Sequence, residues 1–383
     1  MAQLPKILIF IDNYYPAYKM GGPIKSCRNF VEHMCSQYTI YIFTSNEDYG
    51  TDKAINVVPN AWKKGIRNEK VYYCSSTNFS VQLVRNTIKK IAPQFVYLNS
   101  FWSYKYSIVP LISMLSFAQS IKIILAPRGM LQQGALELKK NKKKLYLGII
   151  NLLRLYNNVF FQATDMQEKL DVDEAINYKH EVTIVPNFVS PILDIYKPII
   201  KEKNVVNAIY LSRLDRKKNF HFLLDILLHI QPSIQFTLNV YGEIGDFEYW
   251  KQYCEPKLTK LPAHVQVHIH GAIQVEYVLE AIQKHHLFIL TTLGENFGHA
   301  IFEALSVGRP VLISNRTPWQ NLASQGAGWD LDLNNKNGFI NAINEFATYN
   351  QLQFNTACAC ALNVAKDFLN NSDIKEQYMS LFE

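Results

Sequence analysis

No stretch of this 383-residue chain strings together the roughly 18 to 20 apolar residues that a membrane-spanning helix needs, so no such helix is predicted. The opening, MAQLPKILIFIDNYYP, holds only a short apolar run that stops at Asp12 and Asn13. It reads as a buried strand rather than a signal peptide. Cysteine is sparse: six residues, Cys27, Cys35, Cys74, Cys254, Cys358 and Cys360, with no C-x-x-C spacing. Neither a disulfide framework nor a zinc ribbon is expected, and a reducing, cytoplasmic setting is the simplest reading. The Cys358-Ala-Cys360 pair lies in a helical pattern without a second ligand pair, so it is read as structural. Also missing are a G-x-G-x-x-G fingerprint, zinc-finger spacing, an RNA-binding aromatic signature, low-complexity tracts and short repeats. Nucleic acid is therefore not an expected partner.

What is present is an ordinary globular composition, 48% hydrophobic, in a chain long enough for about two domains. Its net charge of +7 is uneven: residues 1–190 carry 23 Lys and Arg against 13 Asp and Glu, and residues 191–383 carry 16 against 19. Much of the basic surplus lies in KKNKKKLYLGIINLLRLY, Lys139 to Tyr156, where lysines lead into an apolar stretch. Such a segment either docks peripherally on an anionic membrane or is a solvated helix face.

Short β-rich runs alternate with helical patterns in two series. The first is KILIFI, TIYIFT, FVYLNS, KIILAP and VFFQAT; the second is NAIYLSR, QFTLNVYG, VQVHIHG, LFILTT and PVLIS. That alternation predicts an α/β fold of two doubly wound, Rossmann-like domains. Three prolines in VPNFVSPILDIYKPIIKEKN, Val185 to Asn204, mark the joint, giving domains at 1–190 and 191–365 with a closing segment at 366–383. Open α/β sheets bind ligands beyond the carboxyl ends of their strands, so two facing domains are expected to enclose one cleft.

The motifs fall just after strands. Gly21 and Gly22 precede a helix start, where backbone amides can meet an anion or simply form a turn. Arg128-Gly129 follows another strand and fits either a phosphate or acidic ligand, or a structural ion pair. Arg213, Lys217 and Lys218 stand at a strand-to-helix junction, suited to a diphosphate or to an exposed basic turn. The fullest motif is TTLGENFGHAIFEALSVGRPVLIS, Thr291 to Ser314. It reads as a strand, a turn holding Glu295, Asn296, Phe297 and Gly298, a helix from His299 through Glu303 closed by Gly308, and a new strand. Two carboxylates that far apart cannot share a proton or a metal. They suit opposite ends of one extended hydroxyl-bearing ligand such as a nucleotide sugar.

These residues resemble the retaining glycosyltransferases of family 4, which have the two-Rossmann-domain B-type fold. The resemblance is carried by Glu295-x7-Glu303, NFG, EALSVGRPVLIS, TPWQNL, SRLDRKKN and GGP, and by PRGML, found in a subset that builds bacterial surface polysaccharides. It implies that residues 1–190 bind the acceptor, that 191–365 bind the donor, and that 366–383 form a helix crossing back onto the first domain. It further implies that Arg213 and Lys218 bind the donor diphosphate and Glu303 the ribose. Glu295, with the backbone of Asn296, Phe297 and Gly298, would hold the sugar. His299 would contact phosphate or pack at the helix start, Gly271 would border the base, and Gly21 and Gly22 would close over the phosphate. Two departures stand out: Ser212 replaces a usual glycine, and the first domain lacks the usual His, whose neighbourhood Arg128 occupies. Arg128 therefore joins Glu295, Arg213 and Lys218 as a catalytic candidate.

The implied reaction transfers a sugar with retention from a nucleotide-sugar donor to a glycan or polyprenyl-diphosphate-linked glycan at the inner membrane face. No metal or other cofactor is expected, although D-x-D strings occur at Asp171 to Asp173 and Asp330 to Asp332. A nucleotide-sugar epimerase and a non-catalytic nucleotide-binding module are the rival readings. A glycoside hydrolase would need its carboxylates about 5 to 10 Å apart across the scissile bond.

Overall fold

A computed structural model describes residues 4–51, 53–114, 121–132, 135–136, 140–190, 192, 198–370 and 373–383. The chain divides into two compact units, Met1–Val189 with Asp373–Glu383, and Ser190–Ser372. Part of the expected joint, 191 and 193–197, lies outside the described residues.

The first unit is built on β1 (Lys6–Phe10), β2 (Thr39–Ser45), β3 (Trp62–Lys64), β4 (Lys70–Cys74), β5 (Phe95–Leu98), β6 (Lys122–Leu125), β7 (Val159–Ala163) and β8 (Glu181–Ile184). Their order across the sheet is β3-β4-β2-β1-β5-β6-β7-β8, and every pairing is parallel except β3 with β4. Ile7, Leu8, Ile9 and Phe10 of β1 are wholly buried, as a continuous apolar run in the middle of a sheet covered on both faces requires. The helices are α1 (Gly22–Met34), α2 (Val81–Ile91), α3 (Val109–Met114), α4 (Lys140–Leu152) and α5 (Met166–Ala175). α2 shows the local logic: the Ser80 hydroxyl accepts the Leu83 amide at 3.1 Å as N-cap, and Val84, Ile88 and Ile91 form the buried stripe.

The second unit holds β9 (Val205–Leu211), β10 (Gln235–Tyr241), β11 (Val265–Gly271), β12 (Leu287–Leu290), β13 (Val311–Ser314) and β14 (Gly328–Leu331), with α6 (Phe220–Leu227), α7 (Val278–Gln283), α8 (His299–Ser306), α9 (Lys336–Thr348) and α10 (Gln351–Asn370). Its sheet is parallel throughout, in the order β11-β10-β9-β12-β13-β14. The chain winds one way from β9 to β11 and the other way from β12 to β14. The crevice where the direction reverses, beyond the carboxyl ends of β9 and β12, is where such sheets bind ligands.

The expected closing segment is divided differently by the structure. Lys366 to Asn370 continue α10 of the second unit, and the return to the first unit is made by α11 (Ile374–Leu381). The Tyr378 hydroxyl accepts the Gln162 side-chain amide at 3.0 Å, and the Phe382 ring sits among Phe30, Tyr38, Phe95 and Tyr97.

One buried group gives the second unit an acid sensitivity. His286 Nδ1 accepts the Asn207 amide at 3.0 Å, which leaves Nε2–H to donate to the Ile200 carbonyl at 2.9 Å. Burial pulls its pKa down to about 4. The native state holds the neutral ring, so on acidification the unfolded chain takes up the proton first. The stabilisation is complete above the ordinary value of about 6.5 and lost as pH falls from there to about 4. Between pH 7 and 5 the wild type is expected to lose about 2 kcal/mol more stability than His286→Gln. Urea unfolding at both pH values measures this, and equal losses would contradict it.

Candidate active site

Two loops at the crevice of the second unit carry the candidate residues, and hydrogen bonds lock them together. After β9, the Asp215 carboxylate caps the single turn Arg216–Lys218 by accepting the Lys218 amide at 3.1 Å, and Asn219 leaves the turn in the left-handed conformation. The Tyr210 hydroxyl donates to the Lys218 carbonyl at 2.9 Å. From the loop after β12, the Thr291 hydroxyl donates to the Asn219 carbonyl at 3.1 Å, and the Thr292 hydroxyl and Leu293 amide donate to the Lys217 carbonyl at 3.2 and 2.8 Å. The carbonyls of Lys217, Lys218 and Asn219 are thus all engaged by β9 and the β12 loop.

Across this seam the Lys218 ammonium meets Glu295 Oε1 at 2.5 Å, with the two side chains only 15% and 13% exposed. Burial alone would raise the Glu295 pKa, but the ammonium groups of Lys218 and Lys217 outweigh it and hold the carboxyl below its usual range. Burial lowers the Lys217 pKa; Glu295 and Asp215 oppose that fall, while Lys218 and Arg213 add to it, so all five share one electrostatic neighbourhood. Arg213 stays about one-third exposed, 3.5 Å from Asp215. Arg216 is turned elsewhere, pairing with Asp246 at 3.2 Å over the rings of Tyr249 and Tyr253. The result is a cluster of three cations at strand ends, Arg213, Lys217 and Lys218, with two carboxylates, Asp215 and Glu295, bound into it.

The turn from Glu295 to Gly298 is held by its flanks. The Glu295 amide donates to the Arg316 carbonyl at 3.0 Å, and the Trp319 indole donates to the Phe297 carbonyl at 2.7 Å. The Phe297 ring is buried against Trp319, Phe302 and Phe368, which makes this side chain an anchor. Gly298 caps α8 with φ +76°, and a Cβ there would lie 2.9 Å from Ile301 Cδ1. The left-handed backbone and the close approach both favour glycine there. A helix start directs its first N–H groups outward, so α8 aims a partial positive charge along the same end of the sheet. The His299 ring packs 4.8 Å from the Phe297 ring, and Glu303, one turn further on, is 6% exposed.

The remaining candidates are placed as follows. Gly21 caps α1 with φ +69°, and Gly22 is its first residue. Gly271 ends β11 and accepts the Gly242 amide at 2.7 Å. Gly242 was not singled out by sequence reasoning, yet a Cβ on it would lie 1.8 Å from the Ser212 carbonyl oxygen. A glycine directly after a strand was the available signal. Tyr210, Thr291, Thr292 and Trp319 were likewise missed as positioning groups.

Arg128 is held inside the first unit. It is buried in the left-handed conformation, and its guanidinium donates to Asn99, Asn187 and the Tyr97 hydroxyl. Its Nε, Nη1 and Nη2 are all hydrogen-bonded within its own unit, where it acts as an internal clasp. The D-x-D carboxylates also have local partners. Asp171 accepts from Gln167, Asp173 meets Lys169 and His180, Asp330 accepts the Asn321 and Leu322 amides, and Asp332 accepts the Asn334 amide. Cys358 is buried within α10.

Residues 195–356 match the family model described as glycosyl transferases group 1. The matched stretch takes up most of the second unit, which is thus similar in sequence to that family. The whole fold is the B-type glycosyltransferase fold. The chain is similar to sucrose-phosphate synthase from Thermosynechococcus elongatus, with TM-score 0.73 and 15% identity over 99% of this chain and 98% of that one. It is equally similar to Anabaena Alr3699/HepE, solved with UDP and glucose, with TM-score 0.73 and 16% identity over 98% and 99%. A Klebsiella pneumoniae protein described as an uncharacterized 41.2 kDa protein in the cps region is 20% identical over 258 residues, 65% of this chain and 67% of that protein. The stretch matched by the family model contains Arg213, Lys218, Glu295 and Glu303.

Proposed function

We propose that the protein is a retaining, metal-independent glycosyltransferase that moves a sugar from a nucleotide-sugar donor onto a glycan or polyprenyl-diphosphate-linked glycan in bacterial surface-polysaccharide synthesis. The observation that carries this reading is the Lys218 to Glu295 pair, set beside Arg213 and Lys217 at the strand ends of a unit similar in sequence to the group 1 glycosyltransferases. The cps-region relative supports the polysaccharide setting, and the relative solved with UDP and glucose supports the donor class.

In this reading Arg213 and Lys218 bind the donor diphosphate, helped by the α8 N-terminus. Glu303 accepts the ribose hydroxyls, and Glu295, with the backbone of Asn296 to Gly298, accepts hydroxyls of the transferred sugar. Gly271 borders the base, and the first unit binds the acceptor. The acceptor oxygen bonds to the anomeric carbon on the face the diphosphate leaves. The breaking C–O bond gives its electron pair to the nucleoside diphosphate, and the acceptor proton passes to a phosphate oxygen. Negative charge grows on the leaving group, and fixed cations in a water-poor site stabilise that growth strongly. The chain is read as working at the cytoplasmic face of the membrane; among the described residues, no helix is long and apolar enough to cross one.

A thermal-shift screen of nucleotide sugars tests donor binding, since a ligand selective for the native state raises its melting temperature. The donor so found is expected to turn over equally in excess chelator. Activity lost to chelator and restored by Mg²⁺ or Mn²⁺ would contradict metal independence.

A further inference from the structure

α4 belongs to the first unit, far along the chain from the donor-binding residues, and among the described residues only one of its faces is used by the fold. On that face Ile150 is buried, and the Tyr146 hydroxyl lies 3.0 Å from that of Tyr156 with its ring 5.1 Å from Trp102. The Lys143 ammonium reaches the Ala135 carbonyl over the Trp102 ring. The opposite face carries Leu145, Ile149 and Leu152, spaced by four and three residues so that they align along one side of the helix. Leu145 is 68% and Leu152 84% exposed, Ile149 is also exposed, and Leu153 extends the patch beyond the helix at 66%.

Aligned bare aliphatic side chains on a folded chain mark an interaction surface, unlike the scattered apolar residues every surface has. The charge around this stripe identifies its partner. At 100° per residue, Lys142 and Lys144 fall on either side of the stripe, and both are exposed. From 138 to 164 the sequence contains no acidic residue at all. An apolar ridge between lysines, in a segment without a carboxylate, complements a surface with hydrocarbon below and negative charge above. Lys139, at the start of the basic segment, lies outside the described residues.

We propose that the exposed face of α4 docks the protein on an anionic phospholipid bilayer, with Leu145, Ile149, Leu152 and Leu153 inserted below the headgroups and Lys142 and Lys144 at headgroup level. This extends the membrane-side part of the proposed function and does not depend on its chemistry. Lys143 is engaged by the fold, so only its two neighbours serve the surface. The helix then lies in the plane of the interface, as helices with a lysine-rich face beside an apolar one do.

Co-sedimentation of the full chain with vesicles tests the assignment. The wild type is expected to pellet with phosphatidylglycerol-containing vesicles and to remain in solution with pure phosphatidylcholine. Leu145→Gln/Ile149→Gln/Leu152→Gln should bind about tenfold more weakly or worse, and Lys142→Gln/Lys144→Gln should lose most of the salt-sensitive part of the binding. Because these side chains are exposed, both variants should keep the wild-type melting temperature and donor binding, which separates this proposal from the catalytic one. A wild type that ignores anionic vesicles, or a triple variant that pellets like wild type, overturns it. So does a wild-type dimer that the triple variant dissociates without any vesicle binding, which would assign the face to a second copy.

Discussion

Glu303→Ala is expected to weaken binding of the nucleotide-sugar donor about a hundredfold while leaving the fold intact. Glu303 lies on α8 between Phe302 and Ala304, both buried, in a helix whose start is fixed by Gly298 and the Phe297 to Trp319 contact. Its carboxylate is held on a rigid element, so a ligand that reaches it meets a preset acceptor. A hydrogen bond to a charged group contributes about 1.5 to 3 kcal/mol, and two ribose hydroxyls sharing one carboxylate reach the upper end of that range. Alanine is the best helix former, so α8 itself tolerates the change. Arg213→Ala should weaken binding similarly through the diphosphate, with a strong dependence on salt because the guanidinium is partly exposed. Calorimetric titration with the nucleoside diphosphate and the nucleotide sugar measures both. Wild-type affinity in the Glu303 variant would remove that residue from the site.

The second large effect concerns Lys218. Lys218→Met should lower turnover about 100- to 1000-fold and also destabilise the chain, by about 3 kcal/mol. Removing one partner of a buried pair leaves the other charge poorly compensated, and Glu295 then keeps the weaker help of the Lys217 ammonium and of the Thr292 hydroxyl. The pH dependence distinguishes this from loss of packing. In the wild type the carboxyl is held low, so its stabilising contribution is present above the ordinary carboxyl pKa and lost as pH falls through the native value. In the variant burial acts unopposed by Lys218 and the carboxyl pKa rises. Destabilisation is then largest at neutral pH and shrinks on acidification, as Glu295 becomes neutral. Lys218→Met/Glu295→Gln should recover most of the stability and none of the turnover. Urea unfolding at pH 7 and 5, with single-turnover kinetics, reads both properties. A Lys218→Met protein as stable and active as wild type would contradict the ion-pair account.

The legibility of this fold followed burial. LFIL is buried along its whole length and KILIF from Ile7 onward, and both announce themselves as continuous apolar runs. The strands missed by sequence reasoning are β3, β4, β8 and β14. Three of them lie at sheet margins, where a strand needs less apolar surface and can read WKK or EVTI, and β4 is the neighbour of one. The turn and helix of LGENFGHAIFEALS were readable because glycines bracket an apolar helical period. The commitments of individual side chains were not. Arg128 followed by glycine after a strand looks the same whether the guanidinium faces a ligand or, as here, Asn99, Asn187 and Tyr97. Phe297, expected to offer its backbone, is held in place by a ring buried under Trp319. Lys218 and Glu295 are 77 residues apart, and their pairing becomes visible only once β9 and β12 are known to be neighbours.

The most direct test is to incubate the purified chain with its nucleotide sugar and a polyprenyl-diphosphate-linked glycan and to follow the anomeric carbon by NMR. The predicted result is release of the nucleoside diphosphate together with a new glycosidic bond in the anomeric configuration of the donor, unchanged by chelator. A product of inverted configuration, or a sugar isomerised while still attached to its nucleotide, would contradict it.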